Sequence, residues 1–581
     1  MNLSKPFINR PVMTFLVMVS LLFFGLLSYI FLPVSDLPNI EYPVIEVTTS
    51  YPGASPETMV QTVTTPLEEQ FTAIEGITTL YSNTVSGQST IVLTFSLDRD
   101  IDSATIDVQA AINTAQPFLP SDLPNYPTFK KVNPASSPVI YINIQSDLVS
   151  RGDLYDYGYS FIGQRLGMIE GVADSYVYGA PYAVRVQVDP NYLSSHQIGI
   201  NEVTAAIVNS NPELPTGNLY NSSSEVTINV DGQLTNAQQY NEVVVRNNNN
   251  GLLKIKDLGI AKDSLENDKY SAKYHKGGVS TNSVAIAILK QNNANTLEVI
   301  SSVKKKFEEM QRELPKSINY TVMFDQSEFI KDSISDIEFT LLVAFLLVAI
   351  VVLLYLGTFK DSIVPMLTLP ITIISTFLCM YILGYSLDIL SLLALTLVVG
   401  FLVDDAIVVL ENIHRYVEKG KTLLEAALMG SQQIAFTVLS MTLSLVSVFI
   451  PLLFMTGIVG RMFREFSLVI AISVIISGFI SLSFTPMLCS KFLKKPEEGR
   501  KKSYLKRSSE NLNTYLLKYY KKLLEKAFSK KKFILISGGC LFIATIYLAA
   551  LIPTTFMPKD DLGYINAVVQ GPDDASPFKM I

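Results

Sequence analysis

Asp404 and Asp405 are adjacent carboxylic acids inside residues 389–410, a run long enough to cross a bilayer and otherwise almost wholly apolar. An ionised Asp costs about 2.5–3.5 kcal/mol at the centre of a membrane helix, and two neighbouring charges repel, so at least one of the pair must hold a proton part of the time. Reversible proton uptake within a hydrocarbon layer is the chemistry this spacing offers. A competing reading sets both acids near the headgroups, with Glu411, Asn412, His414 and Arg415 marking the helix end. At 1.5 Å per residue, however, Asp404 lies about 16 Å before Arg415, nearer mid-membrane than surface. Metal binding is disfavoured, because His196, His275 and His414 are scattered without ligand spacing and no Cys-x-x-Cys occurs.

The elements that hold such a pair follow from composition. Of the 581 residues 49% are hydrophobic and 17% charged, with a positive mean hydropathy, which places the chain among membrane proteins with a substantial polar part. Seven apolar runs approach the length a bilayer demands: 12–32, 337–356, 363–383, 389–410, 434–455, 468–488 and 533–552. The first follows Lys5 and Arg10 but runs into Leu32-Pro33-Val34 without a small-residue cleavage pattern, so it reads as an uncleaved anchor rather than a signal peptide. Lys494, Lys495, Lys501, Lys502, Lys506, Arg507, Lys530, Lys531 and Lys532 crowd the loop before the last run. Such density predicts a cytoplasmic loop, which puts the N-terminus in the cytoplasm and residues 33–336 on the opposite side. A net charge of −7 is not the footprint of a nucleic-acid binder. Cys379, Cys489 and Cys540 all fall in or beside apolar runs, so no disulfide is expected in the polar domain.

Between the first two runs, apolar alternation and helical periodicity succeed one another. Residues 44–51, 78–85 and 90–97 read as strands, with helices over 55–74 and 101–118. A second set has strands at 139–145, 173–178, 183–188, 284–289 and 318–324, with helices over 153–169 and 296–314. The pattern predicts two ferredoxin-like subdomains, the second interrupted by residues 191–278. That insertion carries Asn211-Pro212-Glu213-Leu214-Pro215, an alternating stretch at 225–230, a turn at Asp231-Gly232 and the Asn-rich 246–251, and reads as a small mixed domain with a projecting hairpin. The fold expected is an α-helical polytopic membrane protein with a large periplasmic α+β domain of ferredoxin-like subdomains.

The end of the chain echoes its beginning. Leu32-Pro33-Val34-Ser35-Asp36-Leu37-Pro38 follows the first run, and Ile552-Pro553-Thr554-Thr555-Phe556-Met557-Pro558 follows the seventh. Tyr51-Pro52-Gly53-Ala54-Ser55-Pro56 has a counterpart in Gly571-Pro572-Asp573-Asp574-Ala575-Ser576-Pro577. A parallel repeat about the membrane normal is implied, which predicts that the chain is a truncated or split half of a protein about twice as long. No Lys or Arg interrupts the interior of the apolar runs, so the basic partner that would neutralise two ionised aspartates is expected in the missing half or a partner subunit.

These residues resemble the resistance-nodulation-division (RND) superfamily in its drug-exporting branch. The likeness runs from Met1-Asn2 and Arg10-Pro11 through Pro52-Gly-Ala-Ser-Pro-Glu57 and Asp107-Val-Gln-Ala-Ala-Ile-Asn113 to Gly400-Phe-Leu-Val-Asp-Asp-Ala-Ile-Val-Val-Leu-Glu-Asn412. Residues 31–38 and 51–56 look like those of the Mdt-type multidrug subunits, some of which form mixed trimers. The resemblance implies that Asp404 and Asp405 belong to a proton relay whose basic member lies in the second membrane half. It implies porter subdomains at 33–137 and at 138–190 with 279–336, a funnel domain at 191–278, membrane helices in 1–32, 337–490 and 533–552, a basic cytoplasmic loop at 491–532 and the start of a second periplasmic repeat at 553–581. Tyr178 falls where related pumps carry an aromatic lining the drug pocket, and Pro138 replaces another such aromatic. For Tyr178 a strand-end core position is the equal alternative.

The function implied is proton-motive-force-driven efflux of drugs and other amphiphilic compounds from the bacterial inner membrane, by a homo- or heterotrimer working with a periplasmic adaptor and an outer-membrane channel. Ser440, Ser444, Ser447 and Ser473, Ser477, Ser481 recur at helical spacing and could line a water path, though helix–helix hydrogen bonding is the commoner role. Heavy-metal export is weakened by the lack of a Met or His cluster, and a SecD-like translocation accessory by the seventh run and the restarted repeat; an inactive half-pump fragment is the remaining alternative. No cofactor or enzymatic activity is expected. Gly420-Lys421-Thr422 resembles the end of a phosphate loop, but Arg415 stands where that loop needs Gly, so an ion gradient rather than ATP is the expected energy source.

Overall fold

Long apolar helices and antiparallel sheets make up nearly all of the computed structural model, which describes residues 4–38, 42–134, 136–212, 217–228, 232–248, 251–493, 504–553, 565–572 and 575–580. Outside the described residues fall Met1 and Asn2, Glu213 to Pro215 of the insertion, Asp231, Lys494, Lys495, Lys501 and Lys502 of the basic loop, Thr554 to Pro558 of the echoed motif, and Asp573 and Asp574. The chain divides into two units, Met1–Ala135 with Glu328–Ile565, and Ser136–Ser327 with Asn566–Ile581.

Among the described residues, seven helices, all lying wholly or almost wholly in the first unit, are long and apolar enough to cross a membrane: Pro11–Phe31, Gln326–Leu356, Asp361–Ile382, Ile389–Glu418, Leu423–Leu453, Gly457–Phe492 and Lys531–Leu551. Their burial is unequal. The third, fourth and sixth are more than half covered by protein, whereas the second and fifth are 11% covered and the seventh is bare. An apolar helix without protein around it needs an apolar covering, so this inequality is the arrangement of a bundle with a packed inside and an apolar outside. The interior is built from Leu395, Val398, Val399 and Leu402 of the fourth helix against Val469, Ile470 and Val474 of the sixth. The first and third helices cross closely at Gly25, where a Cβ would sit 2.1 Å from the Ile374 carbonyl oxygen. Helix ends are set by residues of the expected type. Thr422 and Glu425 form a capping box, and Gly420, at φ +83°, ends the helix before it.

The same unit carries a four-stranded antiparallel sheet in the order 77–85, 88–95, 44–50, 128–132. With helical segments between Pro56 and Phe71 and helix Ile101–Ala115, this is the strand order of a ferredoxin-like β-α-β-β-α-β block. Period-two alternation directs Ile91, Leu93 and Phe95 to the buried face, against Met59, Val63, Leu67, Val108 and Ile112. The second unit repeats the plan, with Val172–Tyr178, Val279–Lys290, Ile140–Gln145 and Asn319–Asp325 side by side.

One strand departs from the sequence expectation. Residues 183–188, read with the second block, belong to strand Tyr182–Val188, which pairs along its length with Gly259–Leu265 instead. Gly179-Ala180-Pro181 intervenes, and a proline, having no N–H, cannot continue a central ladder, so the chain leaves the sheet there. The third strand of that block is Val279–Lys290, reached only after the insertion. Within the insertion a short hairpin joins Asn218–Tyr220 to Glu225–Thr227. Arg246, Asn247 and Asn248 of the Asn-rich stretch lie in strand Val244–Asn248, which pairs antiparallel with Gly251–Lys254.

Candidate functional site

The fourth helix begins at Asp388, whose carboxylate accepts the N–H of Ser391 at 2.8 Å as an N-cap, and continues for 30 residues to Glu418. Successive side chains on a helix diverge by about 100°. Asp404 and Asp405 therefore face different surroundings: Asp405 is 2% exposed, and Asp404 is exposed. One turn before Asp404, Gly400 leaves its flank open, with nothing within 4 Å of where a Cβ would be.

Both acids line a cavity of about 370 Å³ together with Phe401 and, from the fifth helix, Thr437, Ser440, Met441, Ser444 and Leu445. The spacing of three and four in that group puts its hydroxyls in one row facing the carboxylates. On the covered side, the sixth helix is tied in by the Ser477 hydroxyl, which donates to the Leu402 carbonyl at 3.0 Å. Beside it Gly478 admits the fifth helix so closely that a Cβ would lie 2.7 Å from Thr442 Oγ1. One oxygen of Asp405, Oδ1, is buried without a hydrogen-bond partner among the described residues. Neither aspartate forms an ion pair among those residues.

A pair so placed can take up and release a proton. The hydroxyl row beside it offers donors and acceptors for passing that proton on. The two serine rows seen in the sequence separate in role. Ser440 and Ser444 line the cavity, whereas Ser473 bonds Thr376 of the third helix at 3.1 Å and Ser477 bonds the fourth, so these last two are helix–helix fasteners. At the far end of the helix, Asn412 donates to the Gly430 carbonyl at 2.7 Å and accepts from Arg415 at 2.7 Å.

Sequence reading missed a second pair of acids. Asp388 and Glu465, both buried, converge on Ser386, whose hydroxyl donates to Asp388 Oδ2 at 2.9 Å and whose N–H donates to Glu465 Oε1 at 3.1 Å. The chain leaving the first helix closes over them. Ser35 N–H donates to the Leu387 carbonyl, Leu387 N–H to Pro33 and Ile389 N–H to Asp36. The available signal was Glu465 lying three residues before an apolar run, a position that reads as an ordinary helix boundary.

In the second unit, Tyr178 ends its strand half-exposed and stacks on Tyr141, with ring centroids 6.5 Å apart. Tyr141 in turn meets Phe324 edge-on at 6.2 Å. Pro138 is not part of this row. Tyr178 lies in register with Ala285, which pairs Asn143, so Pro138 is about five residues, or roughly 16 Å, away along the strand.

The model of the AcrB/AcrD/AcrF family matches residues 3–580. The chain belongs to that family. Multidrug resistance protein MdtC of Pectobacterium carotovorum subsp. carotovorum (strain PC1) is 38% identical over 98% of this chain and 55% of its own length. MdtC of Shigella flexneri is also 38% identical, over the same shares, and that of Escherichia coli O139:H28 (strain E24377A / ETEC) 37%. The chain thus spans about half the length of the curated relatives it matches. Membership of the AcrB/AcrD/AcrF family places it in the multidrug-efflux branch of the RND transporters, as its motifs implied.

Proposed function

We propose that this chain supplies the proton-binding membrane half and two drug-contacting porter subdomains of an inner-membrane exporter driven by the proton-motive force. The observation that carries the reading is the divided environment of the aspartate pair: Asp405 is buried with an unpartnered oxygen, and Asp404 opens to a hydroxyl-lined cavity. Protonation would remove the repulsion between them and the need for a cationic partner, changing how the fourth helix packs. A basic residue from outside this chain completes the relay in this proposal.

The porter subdomains are assigned to 33–137 and to 138–190 with 279–336, the funnel to 191–278, and the cytoplasmic loop to 491–532. Tyr178 is the proposed pocket aromatic, supported by its stacking on Tyr141. Pro138 is kept as a pocket position on the resemblance alone. Substrates are amphiphilic compounds, and the working assembly is a homo- or heterotrimer with a periplasmic adaptor and an outer-membrane channel.

Ethidium accumulation in cells expressing the complete pump tests the relay. Asp404→Asn and Asp405→Asn should each raise accumulation to the level of cells lacking the pump while the protein still reaches the membrane. Export retained by both variants would sink the assignment.

A further inference from the structure

The basic loop, read from sequence as a topological signal, folds as a 26-residue helix, Tyr504–Ser529, that runs up against the seventh apolar helix. Lys530 N–H donates to the Lys526 carbonyl and Ile534 N–H to that of Lys530, so the two helices are joined without a flexible spacer. A topological signal needs only charge; this helix also has a face.

At about 100° per residue, Leu516, Tyr519, Tyr520, Leu523 and Ala527 fall on one side, widened by Leu517, Leu524 and Phe528 to an arc of roughly half the circumference. All but Ala527 of these are large hydrophobic side chains standing exposed. Lys521 and Lys526 border the arc on its two flanks, and Lys518 and Glu525 stand opposite it. Between residues 514 and 532 there are seven lysines and one acid, in a chain whose net charge is −7.

A wide apolar arc, flanking lysines and tyrosines near the boundary make the pattern of a helix lying in the plane of a lipid interface, with lysine stems reaching to the headgroups. Its last turn is held where the apolar helix Lys531–Leu551 begins, and that helix is bare of protein along its length. The apolar arc therefore starts at the membrane boundary. Its fixed positive charge matches anionic headgroups.

We propose that Tyr504–Ser529 is a lipid-reading helix that seats its Leu516/Tyr520/Leu523 face in the acyl boundary and selects anionic phospholipid through the flanking Lys521 and Lys526. The proposal rests on the membrane reading of Lys531–Leu551.

The chain contains no Trp, so a single introduced Trp reports its own depth. The full chain is reconstituted into vesicles of phosphatidylcholine and phosphatidylglycerol at a fixed ratio, with bromine on the acyl chains of one lipid or the other. Leu523→Trp should be quenched and Glu525→Trp should not. At equal mole fraction, brominated phosphatidylglycerol should quench Leu523→Trp more than brominated phosphatidylcholine. That preference should disappear when Lys521 and Lys526 are both changed to Gln. Equal quenching by both lipids in the lysine-containing protein would overturn the selectivity, and an unquenched Leu523→Trp would overturn the seating. A Leu541→Trp control separates the two levels: if it too is unquenched, the membrane reading of the seventh helix fails with the proposal.

Discussion

The Ser477 hydroxyl donates to the Leu402 carbonyl, three residues before Asp405, so the sixth helix is fastened to the fourth within one turn of the buried carboxyl. Asp405 Oδ1 is buried there with no hydrogen-bond partner among the described residues. Removing the charge there should leave the fold intact or firmer, because a buried carboxylate without a partner is a liability to stability. Asp405→Asn is expected to melt at or above the unmodified protein in detergent while failing to export ethidium. A melting temperature several degrees lower would mean that the carboxylate has a structural partner.

Ser477→Ala removes the fastener itself. Loss of one buried hydrogen bond should lower stability by about 1 kcal/mol, the Leu402 carbonyl keeping its bond within the helix. Thermal unfolding of Ser477→Ala beside Ser440→Ala checks this, since Ser440 faces the cavity and its replacement should be nearly neutral.

The crossing at Gly25 makes a sharper prediction. A Cβ 2.1 Å from the Ile374 carbonyl oxygen cannot be accommodated without moving the first helix from the third. Gly25→Ala should cost about 1–3 kcal/mol, the usual range for overpacking. Gly538→Ala in the seventh helix, where nothing lies within 4 Å, is the control and should be silent. Equal behaviour of the two would contradict the close crossing.

The cap at Asp388 separates two roles of one side chain. Asp388→Asn keeps an N-cap acceptor and relieves repulsion from Glu465, so the protein should melt at the same temperature or higher. Asp388→Ala loses the cap and leaves Ser386 without its acceptor. It should lose about 0.5–2 kcal/mol. If the two variants melt together, the carboxyl is not acting as a cap.

Acid should weaken the second unit in a defined order. Burial pushes the Asp325 carboxyl up, but Lys304 and the Ser327 hydroxyl and N–H outweigh it and hold the group below the ordinary carboxylate range. A carboxylate depressed by folding contributes stability that is complete above its unfolded value, about 3.9, and is lost as pH falls through the folded value. Glu242, bonded by Lys254 and Lys256 at 2.6 Å each, is held down to about 2 and should let go last. Melting temperatures should therefore be insensitive to Asp325 between pH 8 and 5, where the group is ionised folded and unfolded. Below about pH 4 they should fall, and Asp325→Asn should flatten that limb.

Much of this was legible in the chain. The apolar runs mark the seven membrane-length apolar helices among the described residues because their length answers to bilayer thickness alone, and three strands of the first sheet and four of the second follow from alternation over short windows, whereas Thr128–Val132 was not read as a strand. The strand at 183–188 was read with the second block, yet Tyr182–Val188 pairs with Gly259–Leu265, because alternation says that a strand exists and nothing about its neighbour. Asp404 and Asp405 stood out against an apolar background. Asp388 and Glu465 did not, since each borders an apolar run where charge is ordinary, and only folding brings them to one serine. The aromatic row of Tyr178, Tyr141 and Phe324 was hidden for the same reason, its members lying on three strands far apart in sequence.

The chain between the first helix and the first sheet is stitched to the turn before the fourth helix through Pro33, Ser35 and Asp36, and Arg461 of the sixth helix grips the Leu97 carbonyl beyond a strand end. The ferredoxin-like block of residues 44–132 is thus fastened to the carboxylate-bearing bundle by the Arg461 bond at Leu97 as well as along the chain. A slide of the fourth helix along its axis must either pull on that block or snap the backbone bonds at Leu387. The bundle and the block are geared, and a displacement that begins beside Asp405 has a mechanical route out of the membrane.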